Sequence, residues 1–172
     1  MSVVTRSQSD REFVPVSAGT HLAVCVDCVD LGLETVEYNG ETKLQPKHRL
    51  VFEVGGEFTE DGRPMTIGRK VTSSLHEMAS LTTILTTWQA PGFTSTTTEY
   101  ELDDLIGISA RLEVVHKKSE DKKRTYAVID RVYPTDEVLK ASTKNDPETG
   151  EPLLDEAGDP VKTYKRVKDR TD

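Results

Sequence analysis

An all-β domain with one inserted helix is the fold this sequence of 172 residues predicts. Three observations predict it. Val-rich stretches of alternating polarity recur, each bounded by turn residues. Asn39-Gly40, the strongest short hairpin signal, sits between two of them. A single helical stripe, Met78, Leu81, Leu85 and Trp88, falls between the third and fourth. Only 35% of residues are hydrophobic and 6% aromatic, against 30% charged, so the core is modest.

The elements follow in order. Residues 1–17 are polar, with Phe13, Val14 and Val16 as their only anchors, and read as a loose arm that can lie against the body. His21 to Leu31 is a first strand and Lys43 to Val54 a second. Leu50, Phe52 and Val54 share one face of the second; Lys47, Arg49, Val51 and Glu53 share the other. Gly55-Gly56 ends it, and Asp61-Gly62-Arg63-Pro64 is a turn. Met65 to Thr72 is the third strand, with Ile67 and Val71 facing one way. Ser74 and Glu77 have the spacing of a capping box, and Pro91-Gly92 stops the helix. Leu102 to Ile106 is a short helical turn. Ser109 to Lys117 and Thr125 to Tyr133 are the last two strands, joined by a charged turn.

Three strands, a helix and two strands is the element order of the OB-fold, a five-stranded Greek-key barrel that serves many oligonucleotide binders. The predicted domain runs over residues 18–134. Beyond Pro134 the composition shifts. Residues 135–172 hold ten acidic and seven basic residues with Tyr164 as the sole aromatic, the texture of a mobile tail. Its acidic part, residues 136–160, precedes a basic end carrying Lys162, Lys165, Arg166, Lys168 and Arg170. Residues 148–152 and 156–160 echo each other and read as two turns.

Charge and motifs narrow the function. The net charge of -8 excludes a polybasic coat, so any contact with nucleic acid must use a local basic stripe. No apolar run is long enough to span a bilayer and the first ten residues lack a secretory core, which reads as soluble and cytoplasmic, without membrane. Cys25 and Cys28 have no second pair to complete a zinc site, and on a strand residues three apart point to opposite faces; no metal or cofactor is expected. His21, His48, His76 and His116 are scattered and match no catalytic spacing, so the reading is not an enzyme.

Two windows are net positive: 43–70, with six basic and four acidic residues, and 111–131, with seven and four. In a binding OB-fold the second and third strands and the loop between the fourth and fifth form the groove. That places Lys47, Arg49, Arg69, Lys70, Lys117, Lys118, Lys122 and Arg124 as candidate phosphate contacts. Tyr38, Phe58 and Tyr126 are candidate stacking platforms. Lys43 and Lys123 belong to the same clusters. The alternative for each is a solvated lysine turn and, for Tyr126, a place in the core.

The run Thr72-Ser-Ser-Leu75-His76-Glu77-Met-Ala79-Ser-Leu81, then Leu85, Trp88 and Phe93-Thr94, resembles a signature of phage-encoded single-stranded-DNA-binding proteins with an OB-fold. So do Val29-Asp30-Leu31-Gly32, His48 to Glu53, Leu102 to Gly107, Leu112 to His116 and Tyr126 to Ile129. Similar proteins often carry Trp-Arg-Gly where this chain has Trp88-Gln-Ala-Pro91-Gly92, and an aromatic where it has Val71. The resemblance covers residues 19–134. It implies coating of exposed single strands, without strong sequence preference, in phage DNA replication or recombination in the host cytoplasm. It also implies an acidic tail that recruits phage or host replication and recombination proteins and competes with DNA for the groove. Self-association stays open. A protein-interaction module built on the same barrel, without DNA binding, is the alternative.

Overall fold

The computed structural model describes residues 14–76 and 79–170. Five strands, β1 (Gly19–Tyr38), β2 (Glu41–Phe58), β3 (Pro64–Thr72), β4 (Ser109–Lys118) and β5 (Thr125–Tyr133), make one antiparallel sheet in the order β3-β2-β1-β4-β5. One helix, α1 (Ser80–Trp88), lies between β3 and β4, and a 3₁₀ turn (Leu102–Leu105) precedes β4. No helix among the described residues is long and apolar enough to cross a membrane.

Alternation builds the core in β2, β3 and β4, and in β5 a register break opposite Glu113 and Val114 turns Ile129 and Val132 to the same side. Leu50, Phe52 and Val54 of β2, Ile67 and Val71 of β3, Ala110, Leu112 and Val114 of β4, and Ile129 and Val132 of β5 face one apolar interior. Helix α1 closes it with Leu81, Ile84, Leu85 and Trp88. Trp88 packs on Phe52, ring centroids 5.5 Å apart, and its indole N–H donates to the Ser109 carbonyl at 2.9 Å. Burying side chains of this size contributes about 1.5–3 kcal/mol each.

Several expectations need correction. β2 does not stop at Gly55-Gly56: Gly56 adopts φ 79°, a register break follows Glu53, and the strand resumes to Phe58. The helix begins at Ser80 with Ala79 at its N-cap and no side-chain cap. Ser74 instead accepts from the His76 N–H at 3.2 Å, while Glu77 and Met78 lie outside the described residues. The helix ends on Gln89, whose left-handed φ of 60° lets Ala90 N–H reach the Leu85 carbonyl at 3.0 Å, before Pro91-Gly92 is reached.

Cys25 and Cys28 are buried strand cysteines, but they do not point to opposite faces, and a bulge is the reason. β1 slips by one residue against β2 between Cys25 and Asp27, so Cys25 and Cys28 both turn into the core. Hydrogen bonding to Cys28, together with burial, pushes the Cys25 thiol well up. Both thiols are free.

The two ends of the chain come back to the body. Of the predicted N-terminal arm, residues 1–13 lie outside the described residues. Val16, however, is buried, and its carbonyl accepts from His116 Nε2 at 2.7 Å. The segment expected as a mobile tail runs back over the outer face of the sheet. Leu139, Ala141 and Tyr164 pack on Val24, Val26 and Val51. Leu139 N–H donates to Ser109 Oγ at 2.9 Å, and Ser142 donates to Glu53 through its amide and its hydroxyl. The echoed stretches are two turns, closed by Gly150 N–H to Asp146 carbonyl at 2.8 Å and Gly158 N–H to Asp155 carbonyl at 3.0 Å. Apolar side chains left on the outer face supply the reason: without Leu139 and Tyr164, Val24 and Val51 would face water.

Candidate nucleic-acid interface

β3 and β5 are the two edges of the sheet, and they face each other across a groove of about 570 Å³. Arg49, Gly68, Arg69 and Lys70 line one side and Tyr126 the other. Arg69 has the parity of the buried Ile67 and Val71, so its side chain leaves β3 toward β5. Its Nη1 donates to the Ile129 carbonyl at 2.7 Å and lies 3.5 Å from the Asp130 carbonyl. Arg69 thus ties the two edges together through one of its guanidinium nitrogens.

Arg49 and Lys70 are the cations that face solvent here. Arg49 lies across Gly68, so close that a Cβ at Gly68 would stand 2.5 Å from its Cζ. The missing side chain is what makes room for the guanidinium. Lys70 pairs with Glu34 at 2.8 Å, the lysine exposed and the carboxylate partly so. An ion pair of this kind contributes at most about 1 kcal/mol, so a phosphate can displace the carboxylate. Tyr126 is 44% exposed, which answers the alternative that placed it in the core. It stands opposite Lys117 in the β4–β5 ladder, so the two share a face.

The remaining candidates are placed elsewhere. Lys117, Lys118, Lys122 and Arg124 are exposed at the β4–β5 hairpin end beside Tyr126, in a turn tightened by Asp121, which accepts from Ser119 Oγ and Lys123 N–H. Hydrogen bonds from Ser119 and Lys123 hold the Asp121 carboxyl below its ordinary range. Lys47 donates to Thr72 at 2.5 Å, at the far end of the β2–β3 ladder from Phe58, which pairs with Pro64. Phe58 is 60% exposed. Tyr38 ends β1 at the tip of the long β1–β2 hairpin, and its side chain lies outside the described residues. One channel was expected to collect Lys47, Arg69 and Lys117; of these three only Arg69 lines the groove, although Lys47 shares a face with Arg49 and Lys117 with Tyr126.

The outer face of β1 and β2 is taken by the chain's own residues. Two carboxylates sit there. Asp27 is 1% exposed and accepts from Tyr164 Oη at 2.9 Å, Arg166 Nε at 3.0 Å and Val167 N–H at 2.9 Å. Burial pushes the Asp27 carboxyl up, but these three hydrogen bonds outweigh it and hold the pKa below the ordinary aspartate value. Burial, and then the bond to Asp27, push the Tyr164 phenol up to about 12. Sequence reasoning missed Tyr164, Arg166 and Arg170. The basic last dozen residues were the only signal, and nothing local says which face they return to.

A larger cleft, about 690 Å³, opens between His48, Ser73, Tyr100 and the 3₁₀ turn. Glu99, Glu101 and Asp103 line it, which makes it hostile to a polyanion. Among the described residues no group of three or more His, Cys, Asp or Glu is placed to hold a metal. No protein-family model matches the chain, and no curated protein matches it.

Proposed function

We propose that this protein binds single-stranded DNA, in phage replication or recombination, through a five-stranded OB-type barrel closed where β3 and β5 meet. One observation carries the reading. In a chain of net charge -8, the groove between the sheet edges brings two solvent-facing cations, Arg49 and Lys70, opposite a half-exposed tyrosine. Unpaired bases offer π-faces to Tyr126 and their phosphates suit the cations; such stacking contributes about 1–3 kcal/mol per base. The exposed lysines at the β4–β5 hairpin extend the positive surface from Tyr126 outward. Arg69 supports the barrel closure, since its bond to Ile129 stands where ladder hydrogen bonds between β3 and β5 would otherwise be needed. The residue runs shared with phage single-strand binders add the biological setting.

The test is fluorescence anisotropy of labelled oligo(dT) against the same length of duplex. Binding at about 50 mM salt is expected, weakening with salt by a log–log slope near -0.7 for each phosphate neutralised. Undetectable binding at that salt, or equal affinity for duplex, overturns the proposal.

A protein-interaction module is the second reading, and one feature favours it. Leu33 and Leu44, each more than 60% exposed, share a face of the β1–β2 hairpin. If Leu33→Ser/Leu44→Ser abolishes a self-association seen by sedimentation while the wild-type chain ignores DNA, this reading replaces the first.

A further inference from the structure

The acidic tail of a single-strand binder is expected to compete with DNA, yet the C-terminal segment of this chain presents its basic end to a cleft that adjoins the groove. Thr66 of β3 lines the groove between the sheet edges and also a second cleft, of about 270 Å³, on the far side. That cleft is walled by Arg63 and Met65 at the start of β3 and by Thr163, Tyr164 and Arg170 of the C-terminal segment. Arg170 lies over the Tyr164 ring, its Cζ 5.3 Å from the centroid, and its Nε donates to the Lys165 carbonyl at 3.0 Å. Tyr164 is itself fixed from below by Asp27. The stacked guanidinium is therefore held in place at the surface, with its remaining N–H groups free to reach outward.

On this geometry, and resting on the single-strand reading above, we infer that the C-terminal segment completes the binding strip: Arg170 on Tyr164, with Arg63 across the cleft, takes a phosphate of the strand that also crosses Arg49 and Lys70. The outward positions of β3 run from Lys70 past Gly68 to Thr66, four residues and about 13 Å of strand. Arg49 fills the space over Gly68, and Arg170 continues the line beyond Thr66. Nearby acids are already engaged. Asp61 pairs with Arg63 at 2.9 Å, and buried Glu53 accepts from Ser142. Asp169 is exposed in the short turn before Arg170. Among the described residues, none of the acidic stretch 136–160 lines either cleft. Two of its carboxylates are spent on their own turns, Asp146 accepting from Glu148 N–H and Asp155 from Ala157 and Asp159 N–H, and Glu137 pairs with Arg111.

The experiment compares full-length wild type, Arg170→Glu, Arg170→Gln and the charge-neutralised Glu148→Gln/Glu151→Gln/Glu156→Gln chain, with oligo(dT) of about 20 nucleotides, while thermal melting confirms an unchanged fold. Arg170→Glu is expected to weaken binding at least about threefold and to reduce the salt slope by about 0.7, one phosphate's worth; Arg170→Gln reduces the slope likewise. The neutralised chain binds within about twofold of wild type, because its carboxylates do not occupy the track. Unchanged affinity and slope in both Arg170 variants overturn the inference, as does a large gain in affinity in the neutralised chain, and either result leaves wild-type binding intact. Failure of the wild type to bind at all overturns the single-strand reading and this inference together.

Discussion

Asp27 and Arg166 stand 139 positions apart in the chain and meet with Nε 3.0 Å from Oδ1, in a site where the carboxylate is almost fully buried. Arg166 also reaches Asp103 at 3.0 Å, so one guanidinium joins β1, the 3₁₀ turn and the C-terminal segment. This contact, with Leu139, Ala141 and Tyr164, helps hold the C-terminal segment as a layer on the sheet.

Replacing Asp27 with Asn keeps the shape and removes the charge. Three donors then face a neutral oxygen and an amide that cannot accept from all of them, so stability is expected to fall by about 1–3 kcal/mol in urea denaturation. Trypsin should cut faster at Lys162 to Arg170 in the variant. Equal stability and equal cleavage would show that the layer is held by its apolar contacts alone.

The same site sets a pH dependence at both extremes. The folded pKa of Asp27 is depressed, so its contribution is complete above the ordinary aspartate value of about 3.9 and is lost as pH falls through the lower folded value. Tyr164 is raised to about 12, so its contribution is complete below the ordinary phenol value near 10 and disappears as pH climbs through about 12. Tyr164→Phe should flatten the alkaline loss of stability, and Asp27→Asn the acid loss, in melts taken across the pH range.

Arg69→Met tests the seam between β3 and β5. It leaves the Ile129 carbonyl without its charged donor, a bond worth about 1.5–3 kcal/mol, and the melting midpoint should drop accordingly. If binding of oligo(dT) falls no further than this loss of folded protein explains, Arg69 acts on the scaffold and not on the ligand.

Gly68→Ala separates stability from binding. The new Cβ meets only the far end of the Arg49 side chain, and the strand backbone tolerates it, so the melt should move by less than about 0.5 kcal/mol. Arg49 must swing out of place, however, and affinity for oligo(dT) should fall several-fold in the anisotropy titration.

Strand identity was legible because alternation is a local property. The span of β5 and the hairpin at Asn39-Gly40 are those the sequence predicts. The inward set Leu50, Phe52, Val54, Ile67 and Val71 likewise follows from side chains that alternate along an extended backbone. The helix stripe was legible for the same reason, but its start was not. Ser74 has the right residue type for a cap, yet its hydroxyl is spent on a tighter turn to His76, and the chain needs until Ser80 to leave the sheet.

Of the candidate site, the sequence by itself determined which residue types are on hand: cations on the second and third strands and in the last hairpin, with Tyr126 among them. The tertiary structure decided which of them meet. A bulge at Val26 turned both cysteines inward, the parity of Arg69 sent it to the Ile129 carbonyl, and Gly68 opened the place where Arg49 lies. It also decided that the charged C-terminal segment returns to the sheet, because Asp27, Glu53 and the valines around them form a surface that exists only once β1 and β2 are paired. Contacts between residues more than a hundred positions apart depend on register and on the path of the chain, and no local pattern of residue types encodes either.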